Sequence, residues 1–366
     1  MQERNIPWAS PHYWGNEQRY VVDALQSSWI SGGAYVDRLE EDFARYCDAP
    51  YAIAASNGTT ALHMAYLALN VSLGDEVIVP GFGFMAAANI ALHVGAKPVF
   101  SEVNPDSWCM TASDVEKCIT PKTKAIVPIH TYGNVCDMAP IMELAQSKGL
   151  IVIEDAAEAI GSKYKGRMAG TIAPVGIYSF HATKTITTGE GGAAVTSSVE
   201  LRDQMRLFRS HGMSSRRYWH EVAGHNFRLT NMQAAIGCAQ LEQISKITQE
   251  RGRVYKTYTE LLRKMDGATL QAYSKDVDPV VWAIALSLDA SAFPQGRDAV
   301  IDQLKKMGIE TRPGFYSANT MPHIYGEMQL PICEFISQQV ISLPSSPTLT
   351  DEEIEYVCTG LKSCRK

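Results

Sequence analysis

Asp155 and Lys184 are the residues whose types and placement could do chemistry. Asp155 follows the apolar run 150–153, and Lys184 follows the run 175–180 in the string His181-Ala182-Thr183-Lys184. An uninterrupted apolar run fits a strand covered on both faces, as in a parallel sheet, and such sheets take ligands at the carboxyl ends of their strands. The acid and the lysine are therefore expected to leave strand ends at one sheet edge. A lysine with a depressed pKa is a Schiff-base nucleophile, and a carboxylate facing a pyridine nitrogen keeps it protonated. Pyridoxal 5′-phosphate (PLP) chemistry asks a protein for those two groups. Taken singly, each has a plainer reading, because lysines after strands are commonly solvated and acids at strand ends commonly cap helices.

The elements that must position this pair alternate along the chain. Strands are expected at 51–55, 76–80, 97–103, 125–129, 150–153 and 175–180, with helical stretches between them. That alternation argues for right-handed βαβ units and a mostly parallel sheet. The string Ser56-Asn57-Gly58-Thr59-Thr60 stands ahead of a helix, where free amides and hydroxyls offer an anion site. Simple N-capping is the alternative; beside Lys184 the phosphate reading is preferred, with Gly58, Thr59 and Thr60 as the cradle. Amphipathic helices are expected at 16–28, with Tyr20, Val21, Ala24 and Leu25 on one face, and at 36–47, with Leu39, Phe43 and Tyr46 inward. Thr230 is placed to cap a helix rich in small residues. Beyond it the pattern predicts one long helix over 241–265, a strand over 280–288, a helix over 299–307 and a last helix from Asp351.

The block EDAAEAIG at 154–161, followed by SFHATKTITTGEGG at 179–192, resembles the DegT/DnrJ/StrS family of PLP-dependent nucleotide-sugar aminotransferases. Within that family the TKTITTGEGG string is most like the GDP-perosamine synthase group, and the similarity extends over nearly the whole chain. The resemblance implies a fold-type I, aspartate aminotransferase-like large α/β domain over 1–240 and a smaller α+β domain over 241–366. It implies that Lys184 is the Schiff-base lysine and Asp155 the partner of the pyridine nitrogen. Glu158 falls near the cofactor O3′, at a position where many relatives carry Gln. Phe84, in the Gly81-Phe82-Gly83-Phe84 turn, matches an aromatic that stacks on the ring, and Ser179 matches a serine that bonds the phosphate. The string Gly224-His225-Asn226-Phe227-Arg228-Leu229-Thr230 resembles a family motif in which Asn226 reaches the phosphate of the neighbouring subunit's cofactor. That implies a homodimer with shared active sites. Arg228 is a candidate for the amino donor's carboxylate, which a planar guanidinium matches bidentately. His130 and Arg312 resemble positions near the sugar; a structural role is an equal rival for each.

The activity implied is transfer of an amino group, through pyridoxamine 5′-phosphate, from an amino acid such as glutamate to a keto sugar. A GDP-linked 4-keto-6-deoxyhexose is the favoured acceptor, for lipopolysaccharide O-antigen assembly; a nucleotide-free keto sugar such as an 8-oxo octulosonate is the alternative. A sugar dehydratase of the same fold carries histidine in place of the lysine, and Lys184 argues against it. A non-catalytic regulatory protein would not need Asp155, Ser179, Lys184 and Asn226 together.

Composition narrows the rest. With 46% hydrophobic and 20% charged residues over 366 positions the chain is an ordinary globular one, long enough for two domains. A net charge of −6 provides no basic footprint for nucleic acid, and no apolar run approaches membrane-spanning length. The eight cysteines form no CxxC pair, and HExxH is absent, so neither a disulfide framework nor a metal site is expected. With no signal-peptide pattern at the start, a cytoplasmic location is expected.

Overall fold

The computed structural model describes residues 4–324 and 328–366. In chain order the apolar runs become β1 (Tyr51–Ala55), β2 (Glu76–Pro80), β3 (Lys97–Ser101), β4 (Thr123–Ile126) and β5 (Ile151–Asp155). A short hairpin, β6 (Lys163–Tyr164) and β7 (Arg167–Met168), precedes β8 (Val175–Ser179) and β9 (Gly192–Thr196). Seven of these strands form one sheet in the order β1-β9-β8-β5-β4-β2-β3. Pairing is parallel from β8 through β5, β4 and β2 to β3, and β9 alone runs against its neighbours β1 and β8.

Alternate residues of each strand serve the two covering layers. Ile53, Val77, Val79, Ile153 and Ile177 pack with helices Gly58–Ala68 and Ala86–His93. Ala52, Ile78, Ile126, Val152 and Tyr178 pack with helices Ala34–Tyr46, Met138–Lys148 and Asn231–Glu242. Both faces being covered, the middles of the strands are apolar, and every residue of β2 and β8 is buried.

A second layer is built on the antiparallel sheet β10 (Ala268–Leu270), β12 (Ile284–Leu288), β14 (Val340–Leu343) and β13 (Arg312–Pro313), in that spatial order. Strand β11 (Val277–Asp278) instead pairs with β6. Helices Ile244–Leu262, Arg297–Lys306 and Asp351–Ser363 surround the four-stranded sheet. Its core also takes in Ile6 from the start of the chain, whose amide donates to Gly308 O at 2.8 Å.

Two of these elements depart from expectation, and a third differs only in its ends. The helix over 16–28 spans Glu17–Gln26, but of its expected inward face only Ala24 is buried, and Leu25 is 56% exposed. The long helix expected over 241–265 forms as Ile244–Leu262, set off from the Thr230-capped helix Asn231–Glu242 by Gln243, with φ −100° and ψ 6°. The strand over 280–288 begins only at Ile284, and Trp282 ahead of it turns toward the large sheet, its amide donating to Tyr132 O at 3.1 Å.

The edge of β9 approaches the next helix closely. A Cβ added to Gly192 would lie 2.5 Å from Asn57 C and 2.6 Å from Gly58 N, both backbone atoms that cannot swing aside. Gly192→Ala is expected to destabilise the protein by about 1–3 kcal/mol through this overpacking. A lowered midpoint in denaturant unfolding checks it; an unchanged midpoint would mean that the helix start yields freely.

Candidate active site

A cavity of about 500 Å³ opens where β5 and β8 end. Its floor is laid by Asp155 and Glu158 after β5, Ser179 and Lys184 after β8, and Asn57, Gly58 and Thr59 at the start of helix Gly58–Ala68. Trp8, Trp282, Arg312 and Phe315 close it from the second layer. The parallel pairing of β5 with β8, with Asp155 opposite Ile177, explains why the acid and the lysine loop meet there.

Lys184 Nζ lies 3.4 Å from Glu158 Oε1 and 3.6 Å from the centre of the Trp282 ring. Burial pushes its pKa below the ordinary lysine value, and the Arg251 guanidinium adds to that; the Glu158 and Asp155 carboxylates oppose it. Asp155 is pushed up to about 6, chiefly by burial, with Glu158 contributing. The Ala157 N–H, donated to Asp155 Oδ1 at 3.1 Å, and the charge of Lys184 act the other way. Glu158 Oε2 accepts the Tyr132 amide at 2.9 Å, so this carboxylate is held between the backbone and the lysine. The arrangement thus holds a poised amine next to two buried carboxylates.

The anion end is set by capping. Asn57 Oδ1 accepts the Thr60 amide at 2.8 Å, and Thr60 Oγ1 donates to Asn57 O at 2.9 Å. Thr60 is consumed in this capping box and does not line the cavity, so the simple-capping reading holds for it; Asn57 takes its place beside Gly58 and Thr59. A Cβ on Gly58 would stand 3.1 Å from Ser179 Cβ, so glycine keeps the floor open between helix and strand. An amine, a buried acid, a hydroxyl and a helix start around one opening fit the carbonyl, ring nitrogen and phosphate of PLP.

Other expected site residues divide. Phe84, 59% exposed, lines the cavity and meets Phe315 edge-on at 6.3 Å, whereas Phe82 is fully buried. Arg312 lines the mouth, its guanidinium 4.4 Å from the centre of the Trp8 ring. Asn226 and Arg228 lie exposed on the surface outside this cavity, with Arg228 Nε donating to Asn226 Oδ1 at 3.0 Å. His130 does not reach the cavity at all. It is completely buried, its Nε2 donates to Glu154 Oε2 at 3.0 Å, and its Nδ1 accepts the Cys136 amide at 3.3 Å. Both ring nitrogens are used, so the expectation of a sugar contact gives way to the structural one. Glu154 also accepts the amides of Gly170, Ile172 and Ala173, at 2.8, 2.6 and 2.5 Å.

Sequence reading missed Trp282. Its indole caps Lys184, and its Nε1 donates to Thr183 O at 2.7 Å. Tyr132 stacks between Trp282 and Phe315, with ring centres 6.2 and 5.2 Å away. An aromatic inside the apolar string VVWAIAL reads as core, and only the early end of the preceding turn could have signalled otherwise.

Comparison with known proteins agrees with this geometry. Residues 13–362 match the model of the DegT/DnrJ/EryC1/StrS aminotransferase family. A GDP-perosamine synthase of Escherichia coli O157:H7 is 43% identical over 361 residues, covering 97% of each chain. One of Caulobacter vibrioides is 40% identical, again covering 97% of each. The solved structure of a putative sugar aminotransferase of Streptococcus pneumoniae, in its PMP form, superposes with a TM-score of 0.94 at 27% identity, covering 99% of this chain and 98% of that one. The chain belongs to the DegT/DnrJ/EryC1/StrS aminotransferase family. It has the fold-type I architecture, and it is a PLP-dependent aminotransferase. Among the described residues no helix is long and apolar enough to cross a membrane.

His130→Ala is expected to cost about 2–4 kcal/mol, since it opens a cavity and takes a donor from a buried carboxylate. Its KM values for donor and acceptor should stay at wild-type levels. A folded variant with normal stability and a raised acceptor KM would restore the sugar-binding role.

Proposed function

We propose that the protein transfers an amino group from an amino acid, with glutamate as the favoured donor, to a nucleotide-linked keto sugar. The favoured acceptor is a GDP-linked 4-keto-6-deoxyhexose, serving surface-polysaccharide assembly. The observation that carries the chemistry is the convergence of Lys184 and Asp155 in one buried opening. The acceptor reading is supported by full-length relatives that bear the name GDP-perosamine synthase.

When bound, PLP supplies an electrophilic carbonyl carbon and a ring that accepts electrons. Lys184 Nζ, kept toward the neutral amine, is the nucleophile that bonds it. The same amine, once free, would be the group that takes the donor's α-proton and, in the second half of the reaction, delivers a proton to the sugar's former carbonyl carbon. Asp155 would hold the ring nitrogen protonated, Glu158 sets the direction of Lys184, and Ser179 with the start of helix Gly58–Ala68 would hold the phosphate. Phe84 would lie against the ring, and Arg312, at the cavity mouth, would face the sugar. The cavity walls Trp8, Trp282 and Phe315 exclude water. Asn226 and Arg228 act in the site of a second copy, Asn226 toward the phosphate and Arg228 toward the donor carboxylate, so the working unit is a homodimer. Their exposure outside their own cavity supports that reading.

Borohydride reduction of the holoenzyme should fix the cofactor on the peptide that carries Lys184, and Lys184→Ala should abolish transamination. Wild-type turnover by that variant would sink the mechanism. For the acceptor, the enzyme is first converted to its amino form with glutamate, freed of donor, and offered keto sugars singly. Return of the visible absorption with GDP-4-keto-6-deoxymannose supports the proposal; return only with a nucleotide-free keto sugar overturns its substrate half.

Asp155 adds a pH signature. Its folded pKa of about 6 lies above the ordinary 3.8, so in the cofactor-free protein its burial costs nothing below about 3.8 and costs stability fully above about 6. Asp155 paired with a protonated ring nitrogen would reverse this. Cofactor affinity should therefore weaken as pH falls through about 6, by up to tenfold per pH unit. Equilibrium dialysis checks this against Asp155→Asn, which should bind more weakly and lose that dependence; identical slopes would remove Asp155 from the role.

A further inference from the structure

Arg251 is a buried cation that the mechanism above does not use. It lies on helix Ile244–Leu262 and is only 5% exposed, yet among the described residues no carboxylate stands within ion-pair distance of it. Its partners are backbone carbonyls: Nη1 donates to Trp282 O at 2.9 Å and to Ser345 O at 3.3 Å, and Nη2 donates to Lys184 O at 3.4 Å. Its Nε meets no acceptor. Burying a charge without a counter-charge is costly, and a helix residue needing only to pack would be apolar.

The three carbonyls belong to the parts of the site that must stay in register. One is the main chain of the nucleophilic lysine. One is the residue whose indole caps that lysine and whose Nε1 holds Thr183 O. The third is Ser345, whose hydroxyl accepts the Ile284 amide at 2.8 Å and whose own amide donates to Trp8 O at 2.9 Å. A planar guanidinium can span three separate carbonyls with fixed geometry and keeps its charge when buried; an ammonium does neither as well.

We propose that Arg251 is a positioning residue for Lys184, clamping the lysine's main chain to its aromatic cap while its unpaired charge disfavours a second cation beside it. The inference rests on the reading of Lys184 as the cofactor-bonding lysine. The charged and titratable groups facing the amine are Asp155 and Glu158 after β5, His181 and Glu190 on its own loop, Arg312 across the cavity and Arg251 beneath it. The two buried carboxylates favour the ammonium; burial opposes them first, and the Arg251 charge adds to that opposition. Burial lowers Arg251 itself to about 10, which still leaves it charged there.

The test reads the amine directly. Full-length protein freed of cofactor is treated with trinitrobenzenesulfonate from neutral to alkaline pH, and modification of the Lys184 peptide is followed by mass spectrometry. Arg251→Met and Arg251→Gln should each move the midpoint of reactivity up by about one pH unit, an about tenfold loss of rate at neutral pH. Arg251→Lys should return the midpoint toward wild type, with a slower reaction of the neutral amine because the clamp is lost. A wild-type midpoint in either neutral variant, with thermal unfolding confirming that it is folded, overturns the proposal. If neither neutral variant folds, Arg251→Lys decides: a curve matching wild type in both midpoint and rate overturns it. Failure of borohydride trapping at Lys184 would strike the cofactor reading alone, because the labelling curve needs no cofactor.

Discussion

Parallel pairing of β5 with β8 is the constraint on which the site depends. Strands that run the same way present their carboxyl ends at the same edge, and the register that sets Asp155 opposite Ile177 leaves Ser179 and the lysine loop just beyond. Neither strand can slip by one residue without turning its core-facing side chains to the wrong layer. The apolar alternation that builds the two covering layers therefore also sets where the acid and the amine stand. Stability and chemistry share one register.

That placement concentrates ionisable groups where water is scarce. Asp155, Glu158, Lys184 and Arg251 lie together, two acids and two bases, with Asp155 moved up and both bases moved down. Shifts in those directions mean that each charge is less comfortable than in water. A protein selected only for stability would fill such a volume with apolar side chains. The cluster makes sense as a site held ready for a ligand with complementary charges, a pyridinium and a phosphate, and clusters of displaced pKa values are expected at sites of that kind.

Much of this was legible in the sequence, for reasons that differ from residue to residue. Buried strands such as Glu76–Pro80 and Val175–Ser179 announce themselves as short apolar runs because both faces are covered. Asp155 and Lys184 follow such runs directly, so their common edge could be read from parallel topology. Thr60 was ambiguous by nature: a threonine at a helix start can cap the helix or offer its hydroxyl, and only the position of Asn57 decides. His130 carries the same string whether it faces a ligand or a buried glutamate. Trp282 and Arg251 were beyond reach because their partners are main-chain carbonyls and a lysine far away in sequence. Such contacts leave no spacing to read.

The reversed direction of β9 has a consequence for the order in which the site comes together. Because β9 runs back along β8, residues 180–191 close on themselves: Thr188 N donates to Phe180 O at 2.9 Å, Phe180 N to Gly191 O at 2.8 Å, and His181 bridges Gly189. A parallel successor would have required a crossover, normally through a helix. Loop-closure entropy rises with the length of chain enclosed, and contacts between near neighbours form faster than distant ones. The nucleophile thus rides on a locally assembled hairpin, while its clamp and its aromatic cap come from chain that a ribosome has yet to deliver. The lysine and its two carboxylates all precede the clamp and the cap in the chain, so the burial that lowers the amine's pKa waits on the C-terminal layer.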